Sequence, residues 1–280
     1  MSSYLHFNSR PSTDHTGLKP TPQSHSETNI AGYTFDELTW HFLRLSLTSK
    51  FNRLIDDLAV VSNGHLRQLH HKIRRHIVAG RSWQGYDYGH GYLYQSYRDL
   101  KLSGRRNTED RIASMSLIER TRSKSVLDIG CNTGFISLAV ARMASTVTGF
   151  DVNPHVINIA NDCAHYLGMS NARFLVSSFT EFPEFEKFDV VMSLSNHITF
   201  DGPVFSTFDG YIAKCSRLLK KRGILVFESH TKMFEVKERS LEHLRSQLNN
   251  HFVELLQFTS STGTSLDKDR LIYVGRLQSA

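Results

Sequence analysis

One ten-residue stretch constrains this chain more than any other: Val126-Leu127-Asp128-Ile129-Gly130-Cys131-Asn132-Thr133-Gly134-Phe135. An apolar run fit for a buried strand leads into a tight turn with two glycines, and the turn opens a helix. Such a unit begins a parallel α/β sheet, and glycine in the turn lets the backbone approach a ligand that a Cβ would exclude. The chain then keeps the same rhythm. Strands are expected at 125–129, 146–150, 172–176, 188–193 and 223–228, with helices at 135–143, 156–167 and 204–219. A further helix near 234–248 precedes two closing strands, 252–258 and 271–277. Strand–helix alternation implies a doubly wound, mostly parallel sheet with helices on both faces. The closing pair, joined by a loop containing Gly and Ser, reads as a hairpin that brings in one antiparallel strand.

The residues ahead of this unit divide in two. Residues 1–30 are rich in Ser, Thr, Pro, His and Asn without an apolar period, the pattern of a disordered tail. Residues 31–124 form a helical N-terminal region, leaving 125–280 as the ligand-binding domain. Leu38, Phe42, Leu45, then Phe51, Leu54, Ile55 and Leu58 recur at helical spacing as packing surfaces. A second helix carries Leu66, Leu69, Ile73 and Ile77 and is expected to stop before Gly80. Its His70, His71 and His76 read as a solvated basic face. The stretch from Trp83 to Tyr97 fits neither period; six aromatics interleaved with glycines make it a loop suited to cover a ligand or to pin itself on the core. A helix through Ile112, Met115 and Ile118 follows, with Asn107 or Thr108 as its N-cap.

Charge and cysteine content narrow the function. Residues 1–124 hold 18 Lys and Arg against 11 Asp and Glu, an excess of seven, whereas the remainder carries one net negative charge. A basic region of this kind attracts nucleic acid or another phosphorylated partner, or is simply a solvated helical surface. Cys131, Cys163 and Cys215 stand far apart, with neither a disulfide framework nor a zinc spacing, which fits a reducing, cytoplasmic setting. No apolar run is long enough to span a bilayer, no secretory leader or transit peptide is expected, and no metal constellation stands out.

Two acids point to the ligand. Asp128 lies two residues ahead of Gly130, where a carboxylate is unfavourable beside phosphate but suits an ammonium group such as that of a methionine moiety. Asp151, 23 residues later at the end of the second strand, is placed to accept the two hydroxyls of a ribose or to cap the helix behind Asn153-Pro154. Ser178-Phe179, after the third strand, would frame an adenine.

Residues 125–277 resemble the core of the class I S-adenosylmethionine-dependent methyltransferases. Asp128-Ile129-Gly130-Cys131-Asn132-Thr133-Gly134 is similar to their glycine-rich motif, Asp151 to their ribose-binding acid and Ser178 to the Asp or Ser of their adenine site. Asn132 departs from the pattern, since many members carry glycine there, but Asn tolerates left-handed backbone angles. The resemblance implies S-adenosylmethionine as cofactor and seven strands with the last antiparallel. Gly104-x-Arg106-x-Thr108-Glu109-x-Arg111 is similar to a block of bacterial methyltransferases, the enzymes that carboxymethylate wobble uridine in tRNA among them. It implies that Tyr94, Gln95, Arg106 and Arg111 lie near the methionine end of the cofactor or the substrate mouth.

A methyl acceptor would sit beyond the carboxyl ends of the strands. Ser195, Asn196 and His197 follow the fourth strand there, and Glu228 and His230 the fifth. His197 would take a proton from a hydroxyl or amine, and Glu228 would orient an amine or hold His230. Three functions stay open on these residues: methyl transfer to a small molecule, methyl transfer to RNA, and ligand binding by a domain that no longer catalyses. A carboxylated form of the donor is a further variant.

Overall fold

A computed structural model describes residues 47–80, 83, 93–196, 207–229, 241–260 and 270–278. The expected tail over 1–30, the stripe Leu38, Phe42 and Leu45, most of the aromatic loop, His197 and His230 lie outside the described residues.

The centre is a seven-stranded sheet in the order β5-β4-β3-β6-β7-β9-β8. It comprises β3 (Ser125–Ile129), β4 (Thr146–Asp151), β5 (Ala172–Val176), β6 (Phe188–Leu194), β7 (Leu219–Glu228), β8 (Phe252–Thr259) and β9 (Leu271–Leu277). Strands β3 to β7 pair in parallel, and β9 runs antiparallel between β7 and β8. This is the doubly wound sheet with one reversed strand. The inner strands are buried on both faces, which is why β6 and β7 read as near-continuous apolar runs rather than alternating ones. Strand β7 begins at Leu219, four residues earlier than its pattern suggested, because its exposed Lys220–Arg222 segment breaks the apolar run.

Helices α5 (Phe135–Ala141), α6 (Pro154–Tyr166), α7 (Phe208–Arg217) and α8 (Leu241–Asn249) connect the strands. Pro154 opens α6, and the Asn153 side chain caps it by accepting the His155 N–H at 2.9 Å. Asp151 is therefore not the cap of that helix. Thr207 caps α7 in the same manner.

Ahead of the sheet lie α1 (Leu47–Ser62), α2 (Gly64–Gly80), the short strands β1 (Leu93–Gln95) and β2 (Gly104–Arg106), and two helices, α3 (Thr108–Ser114) and α4 (Leu117–Thr121). Several expectations change here. Ile55 and Leu58 are exposed at 47% and 59%, so the α1 stripe is not packed on the core at those positions. His70 is buried rather than solvated. Its Nε2 stands 2.7 Å from the Leu100 carbonyl, and since that oxygen only accepts, Nε2 carries the proton. His76 pairs with Asp162 of α6. Helix α2 runs through Gly80, and Leu66, Leu69 and Ile73 share one core cluster with Ile157, Ala160 and Cys163, so packing is continuous across residue 125.

The end of the expected aromatic loop is a strand: β1 pairs in parallel with β2, Gln95 opposite Arg106. Gly104 permits it, because a Cβ there would fall 2.1 Å from the Gln95 carbonyl carbon. Asn107 is the N-cap of α3, accepting the Asp110 N–H at 2.9 Å. The single helix expected through Ile112, Met115 and Ile118 is broken by Ser116, whose φ of 49° is left-handed.

Candidate functional site

The parallel register sets the carboxyl ends of β3, β6 and β7 side by side, and β9, being reversed, begins at that same edge. Two polar groups result, one at the glycine turn and one around Glu228.

In the turn, Gly130, Asn132 and Gly134 have φ of 62°, 52° and 72°. Asn132 adopts the left-handed angle and holds it locally, its Oδ1 accepting the Thr133 N–H at 2.8 Å. Asp151 braces the turn from β4. Its Oδ2 accepts the Asn132 N–H and its Oδ1 the Asn153 N–H, both at 3.0 Å. The glycines also serve the protein's own packing. A Cβ on Gly134 would meet the Phe174 ring at 2.7 Å and Ala160 at 2.8 Å, and one on Gly130 would meet Asn196 at 2.9 Å. The missing side chains make room for the protein's own packing. What the turn leaves over is the Thr133 hydroxyl, buried and without a partner among the described residues.

Asp128 is buried at the end of β3 and accepts Ser137 Oγ–H from α5 at 2.5 Å. Burial pushes its carboxyl up to about 7, against the Ser137 hydrogen bond and the Arg111 charge, with Asp151 adding to the rise. Ser178 turns back on its own loop, its Oγ donating to Glu181 Oε2 at 2.9 Å and accepting the Glu181 N–H at 3.1 Å. The Phe179 ring is 1% exposed and packs against Tyr211 at 4.6 Å, with Lys214 Nζ 5.1 Å from its centroid. It belongs to the core, so the ring does not offer an adenine an open face.

The second group is built on Glu228, 2% exposed at the end of β7. Arg106 grips it with two nitrogens, Nη2 to Oε1 at 2.6 Å and Nη1 to Oε2 at 3.2 Å. Arg111 Nη2 donates to Oε2 as well, and Ser195 Oγ–H reaches the same oxygen at 2.5 Å. Arg270, just ahead of β9, donates through Nη1 to Ser195 Oγ at 2.6 Å and to the Ser229 carbonyl at 3.0 Å. Tyr94 completes the ring, its hydroxyl 3.2 Å from Arg106 Nη1 and its ring centroid 5.7 Å from Arg106 Cζ. Burial alone would raise Glu228; the charges of Arg111, Arg106 and Arg270 outweigh it and hold the carboxyl below the usual range.

The match to known proteins falls on this frame. Residues 120–270 match the sequence pattern of a family described as a methyltransferase domain, and that span is more than half of the chain. This chain belongs to the methyltransferase-domain family. Its sheet order and single reversed strand give it the fold of the class I S-adenosylmethionine-dependent methyltransferases. Among similar proteins, a demethylmenaquinone methyltransferase of Tropheryma whipplei is 30% identical over 46% of this chain and 51% of its own. A ubiquinone biosynthesis O-methyltransferase of Actinobacillus pleuropneumoniae is 32% identical over 38% of this chain and 45% of its own. The matched region thus spans about half the length of these curated relatives. The N-methyltransferase NodS of Bradyrhizobium japonicum, solved with S-adenosyl-L-homocysteine, shares the fold at a TM-score of 0.52 and 17% identity, over 78% of this chain and 100% of its own.

Within this methyltransferase domain, the strand-end residues take roles that their sequence positions did not disclose. The Asn196 amide is used by the scaffold. Its Nδ2 donates to the Ile129 carbonyl, and its Oδ1 accepts Ser193 Oγ–H at 2.8 Å and the Tyr211 hydroxyl at 3.1 Å. It therefore ties β6 to the glycine turn. Glu228 is held toward its ionised form by the charges of Arg111, Arg106 and Arg270. Ser195, with a left-handed φ of 65°, joins Glu228 to Arg270. Sequence reasoning missed Ser137, Tyr211 and Arg270. A signal for Arg270 was present: it is the charged residue immediately ahead of a buried strand whose reversed direction starts it at the ligand edge. The three cysteines are free and buried, and burial pushes the thiols of Cys131, Cys163 and Cys215 upward, so none is a nucleophile at neutral pH. Among the described residues, no group of His, Cys, Asp and Glu is arranged to hold a metal ion, and no helix is long and apolar enough to cross a membrane.

Proposed function

We propose that this chain transfers a methyl group from S-adenosylmethionine to a small-molecule acceptor. The observation that carries the reading is the glycine turn framed by two acids, with Asp151 bonded to the backbone of the turn at 3.0 Å. A turn flanked by carboxylates repels pyrophosphate and suits a nucleoside joined to a cationic amino acid. The orphaned Thr133 hydroxyl in that turn fits a polar ligand group. Asp151 would take the ribose hydroxyls, and Asp128 would stand by the ammonium end. Ser178 and the backbone around Phe179 would border the adenine. When bound, S-adenosylmethionine supplies a methyl group on a sulfonium, a leaving group strong enough that alignment and exclusion of water do most of the work.

The acceptor would lie beyond the carboxyl ends of β6 and β7. An acceptor that loses a proton would give it to His197 in this reading, with His230 beside the acceptor after β7. The quinone-pathway names of the relatives support a small organic acceptor, and the buried, unbridged cysteines support a reducing, cytoplasmic setting. One feature favours an RNA acceptor instead: α2 exposes Arg67, Lys72 and Arg75 with no acidic residue in the helix. Failure to bind tRNA even at low salt would remove that alternative.

Calorimetric titration with S-adenosylmethionine, S-adenosylhomocysteine and NAD tests the reading. Micromolar binding of the first two and none of NAD is expected. Binding of NAD alone would overturn it.

A further inference from the structure

Helix α5 is apolar except at Ser137, and that hydroxyl does not bond as helix hydroxyls commonly do. Ser114, Thr121 and Ser216 donate back to carbonyls three or four residues earlier in their own helices. Ser137, fully buried, instead reaches across to β3 and donates to Asp128 Oδ2 at 2.5 Å. A buried hydroxyl costs stability unless it is paired, and its partner here is a buried carboxylate at the ligand edge. The bond occupies one oxygen of Asp128. The other, Oδ1, accepts no hydrogen bond among the described residues, yet it is not one of the fully enclosed polar atoms that lack a partner. The groups around this carboxylate are few. Arg111 faces it from α3, Asp151 from β4 and Cys131 from the turn, while its strand neighbours Gly149 and Met192 carry no charge. Burial raises the carboxyl most. The Ser137 bond is the largest influence against that rise and the Arg111 charge the next, with Asp151 adding to it.

We propose that Ser137 is a positioning residue for cofactor binding: its hydroxyl fixes Asp128 by Oδ2 and leaves Oδ1 for the ammonium group of S-adenosylmethionine. This rests on the methyltransferase reading above. A carboxylate anchored by one oxygen has lost rotational freedom before the ligand arrives, so less of the binding energy goes into ordering it. The same bond favours the ionised form, the one that attracts an ammonium group. With the carboxyl near 7, a change of one donor alters how much of Asp128 is ionised at neutral pH. Without Ser137, the Arg111 charge alone opposes burial. Ser137 acts through Asp128, so its effect is confined to ligands that carry the ammonium group.

Calorimetric titration of the full chain with two probes is the test: S-adenosylhomocysteine, and methylthioadenosine, which keeps the adenine and ribose but lacks the amino acid. Ser137→Ala is expected to bind S-adenosylhomocysteine about tenfold more weakly at neutral pH, the loss shrinking as pH rises. Methylthioadenosine should bind as it does to the parent. In an Asp128→Asn background, adding Ser137→Ala should cost nothing more. Ser137→Cys, whose S–H is a weak donor, should fall between parent and Ala variant. Unchanged S-adenosylhomocysteine affinity in Ser137→Ala, an equal loss for both probes, or a full further loss in the Asp128→Asn background would overturn the proposal. An equal loss would make Ser137 a support of the turn as a whole. If the Ala variant does not fold, the Cys variant decides: a partial loss for S-adenosylhomocysteine alone supports the proposal, and no loss or an equal one overturns it. Parent-like binding of S-adenosylhomocysteine by Asp128→Asn would remove Asp128 from the ammonium end, which sinks this inference and leaves the methyltransferase reading standing. Failure of the unaltered protein to bind S-adenosylhomocysteine or S-adenosylmethionine would strike the reading itself and this inference with it.

Discussion

Asp128 and Glu228 occupy matching places, each a carboxylate at the carboxyl end of an inner strand, and they are 3% and 2% exposed. Burial raises both. Yet Asp128 sits near 7 while Glu228 is held below the usual carboxylate range. The difference lies in the neighbours. Asp128 has one hydroxyl, from Ser137, and a second acid, Asp151, that adds to its cost. Glu228 has the guanidinium groups of Arg106 and Arg111 in direct contact and Arg270 behind Ser195. One end of the sheet edge thus sets two acids close together, and at the other three guanidinium groups gather around one carboxylate. Arg111 is the side chain whose charge reaches both. Identical burial therefore yields opposite chemistry, decided by residues that come from outside the strands.

The largest effect should come from disturbing the better-satisfied acid. Glu228→Gln keeps the volume but leaves three buried guanidinium groups around a neutral amide. Breaking a buried pair in this way costs about 3–5 kcal/mol, and urea unfolding measures it. A loss well under about 1 kcal/mol would mean that the arginines do not depend on Glu228, and the contrast between the two ends would collapse. A smaller effect is expected on the other side. Asp151→Ala should weaken S-adenosylhomocysteine binding by about 1–3 kcal/mol if the carboxylate takes the ribose hydroxyls, read by calorimetry. Unchanged affinity would leave Asp151 as a brace for the Asn132 N–H alone.

These two ends were not equally legible in the sequence. The glycine turn is local: strand, turn and helix are contiguous, so Gly130, Asn132, Gly134 and the spacing to Asp151 carry most of its geometry. The sheet followed for the same reason, since each parallel crossover is written as one apolar run and one helix. The Glu228 group is assembled from residues 106, 111, 195, 228 and 270, separated by up to 122 positions within its direct contacts. No period or spacing encodes it. Arg106 and Arg111 were visible only through the resemblance of their block, and Arg270 only once the reversal of β9 was known. The same limit explains Asn196 and Phe179. Their positions after strand ends suggested ligand contacts, but Ser193 and Tyr211, distant in sequence from the turn, turn the first into a tie and the second into core.

The smallest expected effect is also the one that tests whether the contrast is electrostatic. With its carboxyl near 7, Asp128 is protonated in the folded protein at mildly acid pH, whereas an unfolded Asp, with a pKa of 3.8, is not. In the window between those values the folded state holds an extra proton, so this residue's contribution to stability falls as pH rises through it. Ligand binding should run the other way. An ammonium group beside Asp128 favours its ionised form, so below about pH 7 binding of S-adenosylhomocysteine must release a proton, and affinity should drop by up to about tenfold for each unit of pH. Above that pH the dependence should flatten. Calorimetry in two buffers of different ionisation enthalpy counts the proton directly. Asp128→Asn should abolish the slope, and Arg111→Met, by removing a charge that lowers Asp128, should move its midpoint upward. A slope unchanged in Asp128→Asn would assign the proton to another group. A midpoint unmoved in Arg111→Met would mean that the two ends of the sheet edge do not sense each other.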